Sequence, residues 1–195
     1  MANPTDHDKT KSGTLFLFVG PSGSGKGPLL RRFRELYETD ERFHFPNRVI
    51  TRAVHMPDET HIHATIEAFS NAEEGGAFAL HWHTHGHSYG IPGHALTELQ
   101  NGKHVMINVS RTMVEQAREF DFPVKIFHIE TPLDTSFKKL KARGRESEEE
   151  IAQRLKRHDL PYPDEGDILR IEIDGESDEA FTQANSVIQK ILQEP

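Results

Sequence analysis

No cysteine occurs anywhere in the chain, so disulfides, thiolate metal sites and cysteine nucleophiles are excluded together. Basic residues are outnumbered as well: 23 Lys and Arg stand against 31 Asp and Glu, a formal charge of -8. That balance gives no broad footprint for nucleic acid or an anionic membrane, and any phosphate site must be a local concentration of basic groups. Long apolar runs are also missing. None approaches the ~20 residues of a membrane span, and no signal-type apolar region precedes the first strand, which predicts a cytoplasmic protein. What is present, 195 residues at 35% hydrophobic and 28% charged, suits one soluble domain with a small appended subdomain.

Residues 1–13 (MANPTDHDKTKSG) lack periodicity and are expected to form a disordered leader, with the working domain over 14–195. Leu15 to Val19 is a continuous apolar run ending in a glycine-rich turn. Apolar positions 29, 30, 33, 36 and 37 then recur at helical spacing. Val49 and Ile50 lead into a stretch without a clear period, read as an inserted subdomain over about 52–90. Within it, Thr65 to Gly75 predicts a short helix closed by glycine, and Ala77 to Gly90 a strand and turn. Val105 to Val109 and Val124 to Ile129 read as buried strands with a helix, Arg111 to Phe120, between them. Thr131 to Arg143 predicts a helix capped by Thr131, with Pro132 in its first position and Gly144 at its end. A charged helix over Glu148 to Arg157, a strand over Ile168 to Ile173 and an amphipathic helix over Asp178 to Leu192 complete the chain. Strands alternating with helices imply an α/β fold: a parallel sheet covered by helices on both faces.

Gly20-Pro21-Ser22-Gly23-Ser24-Gly25-Lys26 matches the G-x-x-x-x-G-K phosphate loop and lies where the physics requires it, between a strand and a helix. Glycines let successive backbone N–H groups point inward at phosphate oxygens, and the following helix adds its positive end. Lys26 is placed to reach the β- and γ-phosphates of ATP. The pattern wants Ser or Thr next, as a Mg²⁺ ligand, but Gly27 and Pro28 follow. Mg²⁺ is then expected to arrive on ATP and keep its waters.

Thirteen histidines are present, and His81, His83, His85 and His87 alternate, so an extended segment places all four on one face. Imidazole is a common metal ligand, and His61 and His63 repeat the spacing. Same-face neighbours on a strand lie ~7 Å apart, too far to share one tetrahedral ion without a turn. No metal site is therefore assigned.

With the loop placed, the chain from about Leu15 to Leu192 resembles the guanylate-kinase-like phosphotransferases. Thr51 and Arg52 sit where that family grips the acceptor's phosphate, Tyr89-Gly90 matches its phosphate-binding tyrosine and glycine, and Arg143-Gly144 through Ile151 and Arg154-Leu155 match its lid, here about 143–157. Its guanine-binding glutamate and aspartate correspond to Leu80 and Asn108, which removes the carboxylates a guanine would need. Those positions, with Glu59, His61, Ile62, Trp82, His83, Ser110, Arg111, Arg145 and Glu146, look like the ribose 1,5-bisphosphate phosphokinases of phosphonate metabolism, which carry an acidic residue at the Gly27 position. The resemblance implies ATP-dependent formation of phosphoribosyl pyrophosphate. It further implies Lys26 on the β/γ-phosphates, Arg52 and Tyr89 on the acceptor phosphate, Arg143, Arg145 and Arg154 as a charge clamp, Asn108, Ser110 and Arg111 facing the sugar, and His83 lining the acceptor pocket. Charge alone favours reading Arg143, Arg145, Arg154 and Arg157 as a solvated helical face paired with Glu146 to Glu150. The alternatives are a kinase of GMP or another small phosphorylated acceptor, and a catalytically weak nucleotide- or metal-binding module.

Overall fold

The computed structural model describes residues 12–52, 61–144, 147–156, 168–174 and 177–193. Strand β1 (Leu15–Val19) is buried at all five positions, which is why LFLFV has no polar alternation: a strand covered on both faces has no solvent side. The glycine loop follows, then α1 (Lys26–Leu36), which buries Leu29 and Phe33, four residues apart on one helical face. In chain order come β2 (Phe43–His44), β3 (Arg48–Ile50), β4 (His61–His63), α2 (Ile66–Glu74), β5 (Phe78–Thr84), β6 (His87–Pro92), α3 (His94–Gln100) and β7 (His104–Asn108). A 3-10 turn at Arg111–Met113 leads into α4 (Val114–Arg118), followed by β8 (Val124–Glu130), α5 (Leu133–Arg143), α6 (Glu148–Leu155), β9 (Ile168–Glu172) and α7 (Asp178–Gln193).

Five strands form one sheet in the order β2-β7-β1-β8-β9, and four form a second in the order β4-β3-β6-β5. The first is parallel, with β2 beside β7, β8 beside β9, and Val105 and Val109 donating in step to the carbonyls of Thr14 and Phe18. The α/β class read from the sequence is the class observed. The second sheet is mixed: β3 runs parallel to β4 and antiparallel to β6, and β5 and β6 make an antiparallel hairpin. Thr84 and His87 close that hairpin around His85 and Gly86, whose φ values of 50° and 72° are both positive, the signature of a two-residue type I′ turn.

Two compact units result, one from the described residues of 12–16, 39–107 and 112–124, the other from those of 17–38, 108–111 and 125–193. In the first, Ile50, Leu80, Trp82, Tyr89 and Ile91 are buried on one face of the mixed sheet. On the other face, Phe69 of α2 stacks on Phe78 at 4.6 Å between centroids. A bulge between Phe78 and Leu80 turns the Phe78 ring to that side, over Gly90, where a Cβ would fall 2.5 Å from it. In the second unit Phe18 stacks on Phe127 at 4.9 Å, and Phe33 stacks on Phe181 at 4.6 Å. Arg32 lies 4.4 Å over the Phe181 ring, and the Tyr37 hydroxyl donates to Asn185 Oδ1 at 2.6 Å. These contacts fasten α7 to the helix that follows the glycine loop.

Several local expectations are corrected. Thr131 does not cap α5: its hydroxyl donates to the carbonyl of Ile173, and Pro132 occupies the cap position with no side-chain bond. The helix expected over Arg111 to Phe120 is split into a 3-10 turn and a five-residue helix. The four alternating histidines do not share a face, because the turn at His85 and Gly86 interrupts the strand. His81 and His83 lie on one side, while His87 pairs with Thr84 on the other. The leader expected over 1–13 lies outside the described residues up to position 11, and Gly13 donates its N–H to Leu99 O at 2.9 Å.

Candidate active site

The second unit carries the phosphate loop. Gly20, Gly23 and Gly25 all have positive φ, and a Cβ at Gly20 would fall 2.2 Å from the Ile129 carbonyl oxygen, so the loop winds only because glycine stands there. Pro21, Gly23 and Ser24 are buried, and Ser22 and Gly25 half-buried. Lys26 curls back across the loop. Its ammonium donates to the carbonyls of Gly20 (2.7 Å) and Pro21 (2.6 Å) and to Ser24 Oγ (3.3 Å). A cation held over a glycine-wound loop at a helix N-terminus is an arrangement suited to polyphosphate.

Mg²⁺ fits less well. Gly27, exposed in the first turn of α1, offers no hydroxyl. Glu130, at the end of the adjoining strand β8, is already engaged: its Oε1 lies 2.8 Å from Arg170 and 3.1 Å from His128 Nδ1. The loop therefore builds no metal site of its own. Nothing lies within 4 Å of a Cβ added at Gly27, so packing does not exclude a hydroxyl side chain there.

Asn108 ends β7, and Ser110 and Arg111 open the turn beyond it, the backbone being held by the Val109 N–H on Phe18 O at 3.1 Å. His128 was not singled out from the sequence. It is buried on β8, and burial pushes its imidazole below the usual histidine range against the upward pull of Glu130. The charges of Arg170, Arg111 and Lys26 all bear on it in the same downward sense. A lone histidine in an apolar strand gives no signal of this in the sequence.

For the clamp, Arg143 ends α5 before Gly144, which has φ 60° and closes the helix in the left-handed region. Arg145, Glu146 and Arg157 lie outside the described residues, as does Glu59. Ser147 and Glu150 form a reciprocal capping box that starts α6 and fixes the entry to the helix bearing Arg154, half-buried in its last turn. Lys141 of α5 pairs with Glu148 of α6 at 2.9 Å.

The first unit brings Arg52 and Tyr89 together through their neighbours. Thr51 N–H donates to Ser88 O at 3.1 Å, and Ser88 N–H donates to Thr51 Oγ1 at 2.8 Å. This double tie locks the residue before Arg52 to the residue before Tyr89. Arg52 is half-buried, and its carbonyl lies 3.1 Å from His63 Nδ1. His83, expected to line the acceptor pocket, stands on the face opposite Tyr89 because the two are in alternate positions of the hairpin. There its Nδ1 meets Ser88 Oγ at 2.9 Å and its Nε2 meets Glu73 Oε1 at 3.2 Å, which His81 Nε2 also approaches to 3.2 Å. Leu80 is buried on the Tyr89 face and offers a base no polar partner. Among the described residues, no group of three or more histidine and acidic side chains is arranged to hold a metal ion.

The ribose 1,5-bisphosphate phosphokinase PhnN of Agrobacterium fabrum is 32% identical over 180 residues, which cover 92% of this chain and 96% of that protein. The chain belongs to the ribose 1,5-bisphosphate phosphokinase family. A bifunctional ribose 1,5-bisphosphokinase-thymidine phosphorylase of Roseobacter denitrificans is 42% identical over 170 residues, and the chain spans 25% of that protein's length. Among solved structures, the guanylate kinase of Anaplasma phagocytophilum superposes with a TM-score of 0.62 at 17% identity, over 94% of this chain and 88% of that one, a likeness of fold alone. No protein-family model matches the chain. No helix among the described residues is long and apolar enough to cross a membrane.

Proposed function

We propose that the protein transfers the γ-phosphoryl group of ATP to ribose 1,5-bisphosphate, giving ADP and phosphoribosyl pyrophosphate. The observation that carries this reading is Lys26 drawn across a glycine loop wound for phosphate, in a chain of this family. An oxygen of the acceptor's 1-phosphate attacks the γ-phosphorus, and the bond from that phosphorus to the β-bridging oxygen breaks. Because the attacking oxygen is already anionic, no general base is required. Phosphoryl transfer asks mainly for positioning and for neutralisation of spread negative charge.

The loop amides and Lys26 hold the nucleotide's β- and γ-phosphates. Arg52 and the Tyr89 hydroxyl hold the acceptor phosphate in an insert over about 52–90, and Asn108, Ser110 and Arg111 serve the sugar. Arg143, Arg145 and Arg154 form a lid over about 143–157 that balances charge in the transition state. His83 acts indirectly, orienting Ser88 within the tie to Thr51. Mg²⁺ enters on the nucleotide with its waters, since the loop supplies no hydroxyl.

Phosphorus NMR of reactions with ATP and either ribose 1,5-bisphosphate or GMP tests the proposal. Pyrophosphate resonances of phosphoribosyl pyrophosphate are expected with the first and no ADP with the second. ADP release with GMP and none with the bisphosphate refutes the assignment, and release with neither reduces the protein to a nucleotide-binding module.

A further inference from the structure

Trp82 is the single tryptophan of the chain. It stands on β5 directly across from Tyr89 on β6, and the two rings stack with 4° between their planes and 5.3 Å between centroids. Both are almost wholly buried, at 7% and 9% exposure. No hydrogen bond to another described residue holds the Tyr89 hydroxyl, so the aim of that ring is set by what packs on its faces. Ile50 is its register partner on β3, and Trp82 supplies the flat surface from β5.

A stacked cross-strand aromatic pair restricts both rings more than an aliphatic neighbour does, because offset stacking has a preferred geometry that a branched chain does not impose. The hairpin has a two-residue turn and hence little freedom of register. Together these fix the Tyr89 phenol in one direction without touching its hydroxyl. We infer that Trp82 is a positioning residue for acceptor binding: its indole clamps the Tyr89 ring so that the phenol hydroxyl stays directed at the acceptor phosphate. This rests on the reading of Tyr89 as a donor to that phosphate. It also assigns Trp82 a consequence its burial alone does not give, a change in its environment when the acceptor binds.

Steady-state kinetics on the full chain, with Trp82→Leu, Trp82→Phe, Tyr89→Phe and the Trp82→Leu/Tyr89→Phe double variant, tests the inference. Trp82→Leu is expected to raise KM for ribose 1,5-bisphosphate about three- to tenfold, with kcat and the KM for ATP within about twofold of wild type, and Trp82→Phe to restore most of the loss. In the Tyr89→Phe background the Trp82 change should add little, since the group it positions is gone. Tyr89→Phe without effect on the acceptor KM defeats the reading of Tyr89 itself. Tyr89→Phe with an effect, beside a folded Trp82→Leu that leaves acceptor KM unchanged or lowers all three constants together, overturns the role of Trp82. Should Trp82→Leu not fold, the wild-type protein decides: the emission of this one tryptophan should change on titration with the bisphosphate, saturating near its KM, and unchanged emission at saturation overturns the inference.

Discussion

Lys26 and Gly27 are adjacent, and their substitutions should separate two functions of the loop. Lys26→Met removes a cation that donates to the Gly20 and Pro21 carbonyls and to Ser24 Oγ on the loop itself. On the proposed role of the ammonium at the transferring phosphates, kcat should fall by about 10²- to 10³-fold while circular dichroism stays that of the wild type. Near-normal turnover in the folded variant would remove Lys26 from the mechanism. Gly27→Ser adds the hydroxyl that phosphate loops ordinarily provide, at a position where an added Cβ meets nothing within 4 Å. The magnesium concentration for half-maximal rate should drop, since an inner-sphere oxygen ligand is gained. An unchanged magnesium dependence shows that the ion does not approach this residue.

At the scale of elements, the functional groups of the mixed sheet depend on pairing. Arg52 follows a three-residue strand whose register is set by Ile50 against Tyr89 and by the double tie of Thr51 to Ser88. Arg52→Ala should therefore leave the hairpin intact and raise the acceptor KM about ten- to a hundredfold, the size of a charged hydrogen bond lost to a phosphate. Arg154→Ala removes a charge at the far end of a helix started by its own capping box, and on the proposed lid role should lower kcat more than it raises either KM, because such a charge acts most strongly in the transition state. Initial rates over a grid of both substrates separate the two patterns, and a kcat effect for Arg52 with a KM effect for Arg154 would exchange their roles.

For the whole molecule, the half-buried His104 and the buried His128 link stability to pH. Burial, aided by Arg42, holds His104 below the ordinary histidine value, and its Nδ1 accepts the Thr14 N–H at 3.1 Å, a bond that needs this nitrogen unprotonated. Burial lowers His128 as well. Groups depressed in the folded state are protonated first in the unfolded chain, so their stabilisation is complete above about pH 6.5 and is lost as pH falls below it. Thermal melts should give a lower Tm at pH 5.5 than at 7.5, and His104→Gln should flatten the difference. The depressed carboxyls of Asp40, Glu98 and Glu149 act lower, below about pH 4.5, and leave this window to the histidines. An unchanged pH profile in His104→Gln excludes its share.

The sequence by itself determined the elements whose signal is local. Burial on both faces wrote β1 as five consecutive apolar residues, backbone geometry wrote the loop as spaced glycines, and Thr65 with Gly75 marked the two ends of α2. The family too was legible, because a phosphate site recruits its residues at fixed spacings along the chain. Tertiary structure decided what depends on partners distant in sequence. β2 and β4, two and three residues long, exist through pairing with β7 and β3 and have no period of their own. Thr131 had the side chain of a helix cap, yet its hydroxyl went to Ile173, 42 residues away. Alternation predicted one face of histidines; a turn with two positive φ values separated them, set His83 against Glu73 and left Trp82 stacked on Tyr89. Spacing fixes which residue types are available, but the direction of a side chain follows from strand register and burial, and both are set by contacts between segments that the linear order does not bring together.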